Sequence, residues 1–373
     1  MNLSSSLLRY DEKAVFALRR LYRLYGYAPY KMNKFEEYDL YVRNKDFLIS
    51  DNVITFTDLN GKLMALKPDV TLSIIKNGRD LPGETQKVYY DENVYRVAKG
   101  ANTFKEILQV GLECVGQIDD YQIAEVASLA AQSLRELSEG GVLAVSHLGI
   151  VGGLLDRAGV GDDTRAALLK AVGEKNAHDL AAVAAREEIE PALVDALCRV
   201  TALCGRPDEV LAALEKMGDV IDEAALSQLR RLTDGWDEAL RDMLRIDFSI
   251  VGDTRYYNGI VFQGFLPGVP TAVLTGGQYD RLMRRMHRRS GAIGFAVYLD
   301  TLERLSDAAP SYDVDVLLLY DEGSHPAAVR RQTEALIDRG ESVMAQRRIP
   351  AGLRYRRLIQ MKEGEVILDE EHA

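Results

Sequence analysis

The sequence has little of the residues that build disulfide bridges or metal sites. Its three cysteines, Cys114, Cys198 and Cys204, are odd in number, and no two of them have the C-x-x-C spacing of zinc or redox sites. This pattern predicts reduced, buried thiols. The five histidines are scattered without an H-E-x-x-H arrangement, so the sequence predicts no metal site.

Long apolar runs and phosphate-binding loops are also missing. No stretch of about 18 uncharged apolar residues occurs, and the N-terminus MNLSSSLLRYDEKAV becomes charged too soon for a signal-peptide core. We therefore expect a cytoplasmic protein without a membrane segment. The loops G-x-x-x-x-G-K-[ST] and G-x-G-x-x-G are absent, as are long repeats, which excludes those nucleotide cradles and repeat folds.

Positive charge is in short supply. The chain has 46 Lys and Arg against 57 Asp and Glu, for a net charge of −11. It should therefore repel a phosphate backbone as a whole, and nucleic acid is not an expected partner. The exception is RLMRRMHRRS at residues 281 to 290, with five arginines around His287. A solvated surface is its simplest interpretation, and a contact with phosphate or a partner is the alternative.

The remaining composition, 47% hydrophobic and 28% charged over 373 residues, is typical of a folded soluble protein with two or three domains. Apolar spacing predicts a helix over residues 8 to 25. Asn60-Gly61 lies between two short apolar stretches and predicts a two-residue hairpin turn, because both positions tolerate positive φ. Two further strands, 88 to 97 and 107 to 115, are expected to join this hairpin in one antiparallel sheet, with a turn at 99 to 102 between them.

Later segments complete an α+β fold. We predict further strands at residues 143 to 148, 245 to 251, 259 to 265 and 272 to 274. Further helices are predicted at residues 124 to 137, 152 to 158 and 295 to 305. Residues from about 160 to 240 are rich in Ala, Leu, Glu and Arg and predict a helical insertion. Beyond Pro310, a strand, a helix, a strand and a hairpin predict a small α/β module, so the expected domains are 1–310 and 311–373.

Polar side chains gather near the predicted strand ends. Asp69 and Thr71 are two residues apart, so on an extended segment they face the same side and can together accept an ammonium group. Gln109 and Glu113, four apart on a strand, also share a face, and Glu113 could accept an N–H from a ligand ring. These pairs predict a small-molecule site.

Two tyrosine-containing segments add to this site. Tyr256-Tyr257 and the predicted turn Gly276-Gly277-Gln278-Tyr279 bring phenolic donors beside glycines that let backbone approach a ligand closely.

Five motifs, in chain order, resemble those of histidyl-tRNA synthetase, a class II aminoacyl-tRNA synthetase. They are LKPDVT at 66 to 71, QVGLE at 109 to 113, YYNG at 256 to 259, GGQYD at 276 to 280 and GFA at 294 to 296, where the family has LRPE-x-T, Q-x-G-x-E, YY-x-G, GGRYD and GFA. The resemblance covers about residues 8 to 305. It implies a class II synthetase-like antiparallel sheet flanked by helices and a homodimer, and residues 311 to 373 resemble a shortened anticodon-binding domain.

The resemblance also implies a histidine site. By analogy, Asp69, Thr71 and Gln109 would hold the α-amino end of free histidine. Glu113, Tyr257 and Tyr279 would surround its imidazole. A carboxylate beside imidazole favours the protonated ring, so the affinity is expected to depend on pH near 6 to 7. Arg96 keeps the arginine of the family's second motif and could retain a contact with ATP or phosphate.

Three positions depart from the synthetase pattern. The arginine before the tyrosine pair is Gly252, the third-motif arginine is Thr301, and the second-motif glutamate is Ala98. Loss of one preorganised donor to a transition state typically lowers a rate by about 10²- to 10³-fold, so histidine activation should be nearly abolished.

This combination resembles the family's non-catalytic branch, the regulatory subunit of ATP phosphoribosyltransferase. It implies a histidine-sensing subunit without a cofactor, a homodimer within a hetero-oligomer with the short-form catalytic subunit, and feedback control of the first step of histidine biosynthesis. A complete or vestigial histidyl-tRNA synthetase, which would need ATP and magnesium, stays an alternative, as does another amino-acid-binding paralogue.

Overall fold

The computed structural model describes residues 8–45, 48, 53–78, 83–97, 103–252, 256–305 and 312–371. The chain divides into two compact units, residues 1–305 and 306–373. The turn predicted at residues 99 to 102 and the substitution at Ala98 lie outside the described residues.

The described strands and helices are numbered in chain order. The strands are β1 (Ala28–Pro29), β2 (Phe35–Glu37), β3 (Thr55–Thr57), β4 (Leu63–Leu66), β5 (Thr85–Val97), β6 (Phe104–Gly116), β7 (Val142–His147), β8 (Cys204–Gly205), β9 (Leu244–Asp247), β10 (Ile260–Phe265), β11 (Leu274–Gln278), β12 (Gly291–Tyr298), β13 (Val314–Tyr320), β14 (Val343–Gln346), β15 (Tyr355–Lys362) and β16 (Glu365–Glu371). The helices are α1 (Tyr10–Leu24), α2 (Tyr38–Arg43), α3 (Thr71–Asn77), α4 (Asp120–Leu137), α5 (Leu148–Ala158), α6 (Asp162–Gly173), α7 (Ala177–Arg186), α8 (Pro191–Ala202), α9 (Pro207–Glu215), α10 (Glu223–Arg231), α11 (Glu238–Met243), α12 (Asp280–Arg285) and α13 (Pro326–Ile337).

A nine-stranded sheet is the centre of the larger unit. Its strands follow the order β1-β5-β6-β12-β11-β10-β7-β9-β8. Neighbouring strands are antiparallel except for the pairs β1–β5 and β7–β9. The long pair β5–β6, predicted from sequence, is confirmed over thirteen residues of each strand, from Thr85↔Gly116 to Val97↔Phe104.

Alternation along β6 separates the core from a polar face. Val110 and Leu112 are fully buried and pack in one apolar cluster with α1 and α4, where Leu18 and Leu129 are also fully buried. Because side chains alternate along a strand, Gln109 and Glu113 point to the opposite face. The amphipathic helices thus cover one side of the sheet and leave the polar side for a site.

The predicted hairpin exists, but it lies outside the main sheet. β3 and β4 pair with each other and with β2 in a separate three-stranded sheet. The prediction of a two-residue turn is also wrong, because Thr57 pairs with Leu63 and five residues lie between the strands. The Asp58 side chain closes this loop by accepting hydrogen bonds from the amides of Asn60 and Lys62, and of the turn pair only Gly61 has positive φ.

Two other local predictions are wrong. Residues 276 to 279 were expected to turn, yet Gly276 to Gln278 belong to β11. The glycine there serves close packing, because a Cβ on Gly276 would lie 2.4 Å from the Cβ of Phe295. Residues 295 to 298 belong to β12 rather than to a helix, and a 3-10 helix follows at Leu299–Leu305.

The helical insertion is confirmed. Helices α6 to α11 lie between residues 162 and 243, connected by short loops, by β8 and by a 3-10 helix at Gly218–Val220. Their apolar faces join the main core, where Leu168, Leu197 and Leu229 are buried. The insertion is therefore packed onto the larger unit. The prediction of three buried thiols is wrong in part, since Cys114 is buried but Cys198 is half-buried and Cys204 is exposed.

The smaller unit has the predicted strand, helix, strand and hairpin. Its sheet order is β14-β13-β15-β16, with β13 parallel to β14 and to β15. Helix α13 packs on this sheet through Val329 and Leu336, which meet Val316, Leu318 and Ile359 in a small core. Within the described residues, no helix is both long and apolar enough to span a bilayer, and no cluster of three potential metal ligands occurs.

Candidate functional site

One cavity of about 270 Å³ lies on the polar face of the main sheet. The structure brings together in its lining all six side chains predicted to bind histidine, and Arg96 with them. The described lining residues are Leu48, Asp69, Thr71, Tyr90, Arg96, Gln109, Glu113, Gly252, Tyr256, Tyr257, Gln263, Thr275, Tyr279, Gly294, Phe295, Ala296 and Tyr298.

Strand register explains how these residues meet. Tyr90, Gly111, Ala296, Thr275 and Gln263 are successive partners across β5, β6, β12, β11 and β10. Residues directly opposite each other on neighbouring strands share a face. They form the middle row of the cavity floor.

The two neighbouring rows complete the floor. One contains Glu113 beside Gly294 and Gly277, and the other contains Gln109 beside Tyr298. Small residues at the centre and larger polar residues around them leave a hollow in the sheet surface.

Two glycines are required by this packing. A Cβ on Gly294 would lie 1.8 Å from Oε2 of Glu113, and a Cβ on Gly111 would lie 2.5 Å from the hydroxyl of Tyr90. These distances are far below van der Waals contact. Gly294 makes room for the Glu113 carboxyl group, and Gly111 makes room for the Tyr90 ring.

Glu113 lies at the base of the cavity with 2% of its surface exposed. Thr71 donates from Oγ1 to its Oε1 at 2.7 Å, and the hydroxyl of Tyr279 donates to its Oε2. Burial raises the pKa of Glu113 to about 8, although both hydroxyl donors act in the opposite direction. The group is therefore largely protonated at neutral pH and can donate or accept a hydrogen bond.

Asp69 and Thr71 share the cavity, but not for the predicted reason. The segment is not extended, because Val70 has helical dihedral angles and Thr71 begins α3. Asp69 instead accepts a hydrogen bond from the amide of Leu72 at 2.9 Å, near the start of that helix. Burial raises the pKa of Asp69, opposed by this amide and by the positive charge of Arg96.

Arg96 is buried, and a backbone carbonyl group fixes the orientation of its side chain. Its Nε donates to the carbonyl of Pro68 at 3.0 Å, which ties β5 to the segment that carries Asp69. The preceding Lys67 is 1% exposed and forms an ion pair with Glu92, with Nζ and Oε2 2.5 Å apart. Two cationic side chains thus fix the entrance to α3 against β5.

Three tyrosines form one wall. The rings of Tyr256 and Tyr257 meet edge to face at 4.7 Å, and the rings of Tyr256 and Tyr279 are 5.6 Å apart. Burial raises the pKa values of Tyr256 and Tyr279 well above the usual range, so both hydroxyls stay protonated. Asn258 then anchors this wall, because its amide donates to Asp280 at 3.0 Å.

Of the two positions where the family has an arginine and this chain does not, one lines the cavity and the other does not. Gly252 lines the cavity with φ of +54°, and a Cβ there would make an ordinary 3.4 Å contact with the ring of Tyr257. Thr301 is not among the lining residues; its hydroxyl donates to the backbone carbonyl of Tyr298 at 2.6 Å. Residues 253 to 255, which include Arg255, lie outside the described residues.

Four polar lining residues were missed from sequence. Tyr90, Gln263, Thr275 and Tyr298 come from four different strands, and the hydroxyls of Thr275 and Tyr298 are 2.7 Å apart. Gln263 and Thr275 lie outside the motifs, and the motif regions that contain Tyr90 and Tyr298 gave no reason to single these two out. The available signal was alternation: Tyr90 would have followed from the register of the β5–β6 pair, opposite Gly111 in the middle of QVGLE.

Comparisons with known proteins identify the family of the chain. The sequence model of the histidyl-tRNA synthetase family matches residues 4–302. An ATP phosphoribosyltransferase regulatory subunit from Oceanobacillus iheyensis is 26% identical over 287 residues, which cover 74% of this chain and 69% of that protein.

Solved structures show the same fold. A protein from Bacillus halodurans described as an ATP phosphoribosyltransferase regulatory subunit/histidyl-tRNA synthetase aligns with a TM-score of 0.74 at 20% identity, covering 97% of this chain and all of that one. A chain of the ATP phosphoribosyl transferase complex from Thermotoga maritima aligns with a TM-score of 0.61 at 19% identity, covering 78% of this chain and 97% of that one. These likenesses confirm the class II synthetase-like α+β fold. Because the family model spans most of the chain, this protein belongs to the histidyl-tRNA synthetase family.

Proposed function

We propose that this protein is the non-catalytic regulatory subunit of ATP phosphoribosyltransferase, which binds L-histidine and confers feedback control on the first step of histidine biosynthesis. The observation that carries the proposal is the lining of one cavity. Glu113 and Thr71 are in contact there, whereas the position of the family's activating arginine is Gly252. Relatives named as regulatory subunits of this enzyme support the same choice.

The cavity suits a single amino acid. Its volume of about 270 Å³ is just below the range typical of drug-sized ligand sites, about 300–1,000 Å³. Asp69, Thr71 and Gln109 would receive the ammonium group. Thr71 can do so while it donates to Glu113, because a hydroxyl oxygen keeps two lone pairs for accepting.

Glu113, Tyr257 and Tyr279 would surround the imidazole. A protonated Glu113 can share its proton with a neutral imidazole ring at neutral pH, so this contact needs no net charge in the buried base. The protonated hydroxyl of Tyr279 fixes one carboxyl oxygen and orients the group. The arrangement recognises a ligand that carries both an ammonium group and a titratable ring.

Activation of histidine is disfavoured in the same cavity. Of the described lining residues, Arg96 is the one arginine, and its Nε is already committed to the carbonyl of Pro68. The Thr301 hydroxyl donates to the backbone carbonyl of Tyr298, at the end of β12. With two family arginines replaced, each worth about 10²- to 10³-fold in rate, we expect binding without chemistry and no cofactor.

Histidine titration by calorimetry and an assay of the catalytic subunit test this proposal together. The protein should bind L-histidine, join the short-form catalytic subunit in a hetero-oligomer around its own homodimer, and make that enzyme sensitive to histidine. Glu113→Ala should abolish histidine binding and inhibition, whereas Glu139→Ala, at an exposed position, should change neither. Unaltered binding by the Glu113 variant would contradict the assigned pocket.

The second candidate is a histidyl-tRNA synthetase, favoured by family membership and by the retained Arg96. It predicts histidine-dependent ATP–pyrophosphate exchange with magnesium, and the small C-terminal unit would then contact the anticodon stem. Folded protein without exchange would remove this candidate. Robust exchange would overturn the regulatory proposal.

A further inference from the structure

A compact basic surface lies directly after Tyr279 in the sequence, on helix α12 and the loop that follows it. We define the basic patch as Arg281, Arg284, Arg285, His287 and Arg289, all of which are exposed. The first three are spaced i, i+3 and i+4 on α12, so they share one face of that helix. The opposite face, with Leu282 and Met283, is buried.

The basic patch contrasts with the charge of the chain. The net charge is −11, yet no Asp or Glu occurs between Asp280 and Asp300. The carboxylate of Asp280 is occupied by the amide of Ala292 and the side chain of Asn258. No ion pair joins Arg284 or Arg285 to a carboxylate in the described part of the chain. At these two positions of the patch, Arg284 and Arg285, the positive charge is therefore available to a partner.

Backbone contacts fix the shape of the loop after α12. The amide of Arg288 donates to the carbonyl of Met283, and the amide of His287 donates to the carbonyl of Arg284. These two hydrogen bonds are the Schellman pattern of a helix end. His287 takes the left-handed position of this pattern, with φ of +59°, where glycine is usual. The basic side chains are thus held on ordered backbone.

The patch is also linked to the base of the cavity. Glu113 contacts Thr71, the first residue of α3, and Tyr279, the residue just before α12. At the other ends of the two helices, the guanidinium of Arg288 donates to the carbonyls of Ile75 and Lys76 at 3.0 and 3.1 Å. Helices α3 and α12 are therefore connected at one end through Glu113 and at the other end through Arg288. We call this arrangement the frame between Glu113 and Arg288.

A second cavity, of about 700 Å³, adjoins the patch. His287, Arg289 and Ser290 line it together with Gly116, Gly291 and Asp280, whose carboxylate accepts the hydrogen bonds from Ala292 and Asn258 described above. A concave surface with basic groups in its lining, beside the exposed Arg284 and Arg285, favours a protruding acidic segment by charge complementarity.

We propose that the basic patch docks an acidic surface of the catalytic ATP phosphoribosyltransferase subunit, with the frame between Glu113 and Arg288 connecting that contact to the histidine cavity. This inference rests on the proposed function. A protein partner is favoured over nucleic acid, because tight phosphate-backbone binding uses about 6–10 phosphate contacts and a broad basic surface. This patch spans one short helix and its loop in an acidic chain.

The test compares two double variants of the full chain. Arg284→Glu/Arg285→Glu reverses two charges in the last turn of α12. Arg135→Glu/Arg157→Glu is the matched control, because both arginines are exposed, lie in the last turns of other helices, α4 and α5, and form no ion pair in the described part of the chain. Sedimentation gives the oligomeric state, calorimetry with L-histidine confirms a folded cavity, and biolayer interferometry gives the affinity for the purified catalytic subunit at several salt concentrations.

The patch variant should bind the catalytic subunit about tenfold or more weakly near 0.05 M NaCl, and the difference should shrink near 0.3 M as screening increases. The control should bind like wild type. Equal binding by both variants would overturn the inference while leaving the proposed function standing. Loss of the homodimer, or loss of binding to a labelled tRNA with unchanged binding of the catalytic subunit, would also overturn it. A wild-type chain that binds no catalytic subunit would overturn the proposed function itself.

Discussion

Thr71 and Glu113, 42 residues apart in sequence, are joined by a hydrogen bond of 2.7 Å between Oγ1 and Oε1. This contact places the start of helix α3 on the floor of the main sheet, since Glu113 belongs to β6. The Thr71 hydroxyl can also serve two groups at once, because it donates to the carboxyl of Glu113 while its oxygen can accept a hydrogen bond from a ligand ammonium group. The two halves of the proposed histidine site are therefore coupled before any ligand arrives.

Glu113→Gln should stabilise the ligand-free protein at neutral and alkaline pH while weakening histidine binding, because glutamine can hydrogen-bond the imidazole but cannot share a proton with it. Burial raises the pKa of Glu113 from 4.5 in the unfolded chain to about 8 in the folded protein. The folded state therefore binds more protons between these values, and the wild type loses stability as pH rises from 4.5 to 8. Glutamine does not titrate, so the gap in unfolding free energy should grow to a few kcal/mol by pH 8. Denaturant unfolding at pH 4.5, 6 and 8 measures it, and a gap that stays constant would contradict the buried acid.

Histidine affinity should pass through a maximum between about pH 6.5 and pH 8. The proposed complex holds one proton between Glu113 and the imidazole. Free Glu113 carries it below pH 8, and free imidazole acquires another below about 6.5. Above pH 8 the complex must take up a proton and below 6.5 it must release one, so the affinity should fall up to tenfold per pH unit on either side. Calorimetry in buffers of different ionisation enthalpy should show no net proton uptake at pH 7; uptake of a full proton would exclude the shared-proton arrangement.

The six residues predicted from motifs lie together in one cavity, whereas several local predictions of turns, strands and helices are wrong. Asp69, Gln109 and Tyr279 were found because each belongs to a short motif with a family counterpart. The errors arose where long-range pairing decides the conformation. Gly276-Gly277 is typical of a turn, but its lack of side chains here lets β11 pack against Phe295.

Other contributors came from parts of the chain that no motif connects. Gln263 and Thr275 meet only because β10 and β11 pair in one register. The separate sheet of β2, β3 and β4 was likewise unpredictable, because a hairpin signal specifies a local turn and not the strand beside it.

Gly294→Ala should abolish histidine binding with a smaller effect on folding. The added Cβ would lie 1.8 Å from Oε2 of Glu113 and 2.5 Å from the carbonyl of Leu112, so the carboxyl group must move and β12 must shift. Overpacking of this kind typically costs about 1–3 kcal/mol. The control is Gly153→Ala in α5, where the nearest atom to the new Cβ, on Asp222, is 3.7 Å away. Calorimetry on both folded variants checks the prediction, and wild-type histidine affinity in Gly294→Ala would contradict the position assigned to Glu113.

Lys67→Met should destabilise the protein more than the double variant Lys67→Met/Glu92→Leu. Lys67 is 1% exposed, and its Nζ lies 2.5 Å from Oε2 of Glu92, which is itself mostly buried. Removal of one partner leaves a buried charge and typically costs about 3–5 kcal/mol, whereas replacement of both partners by apolar groups is often neutral. Lys31 can compensate in part, because its exposed amino group lies 3.8 Å from the other oxygen of Glu92. The free energy of unfolding from urea titration should therefore fall by a few kcal/mol in the single variant and recover in the double one.

Histidine affinity should follow the same order, since Lys67 and Arg96 together hold the segment that carries Asp69 against β5. Equal destabilisation by both variants would mean that the pair acts through the packing of the Lys67 side chain and not through its charge.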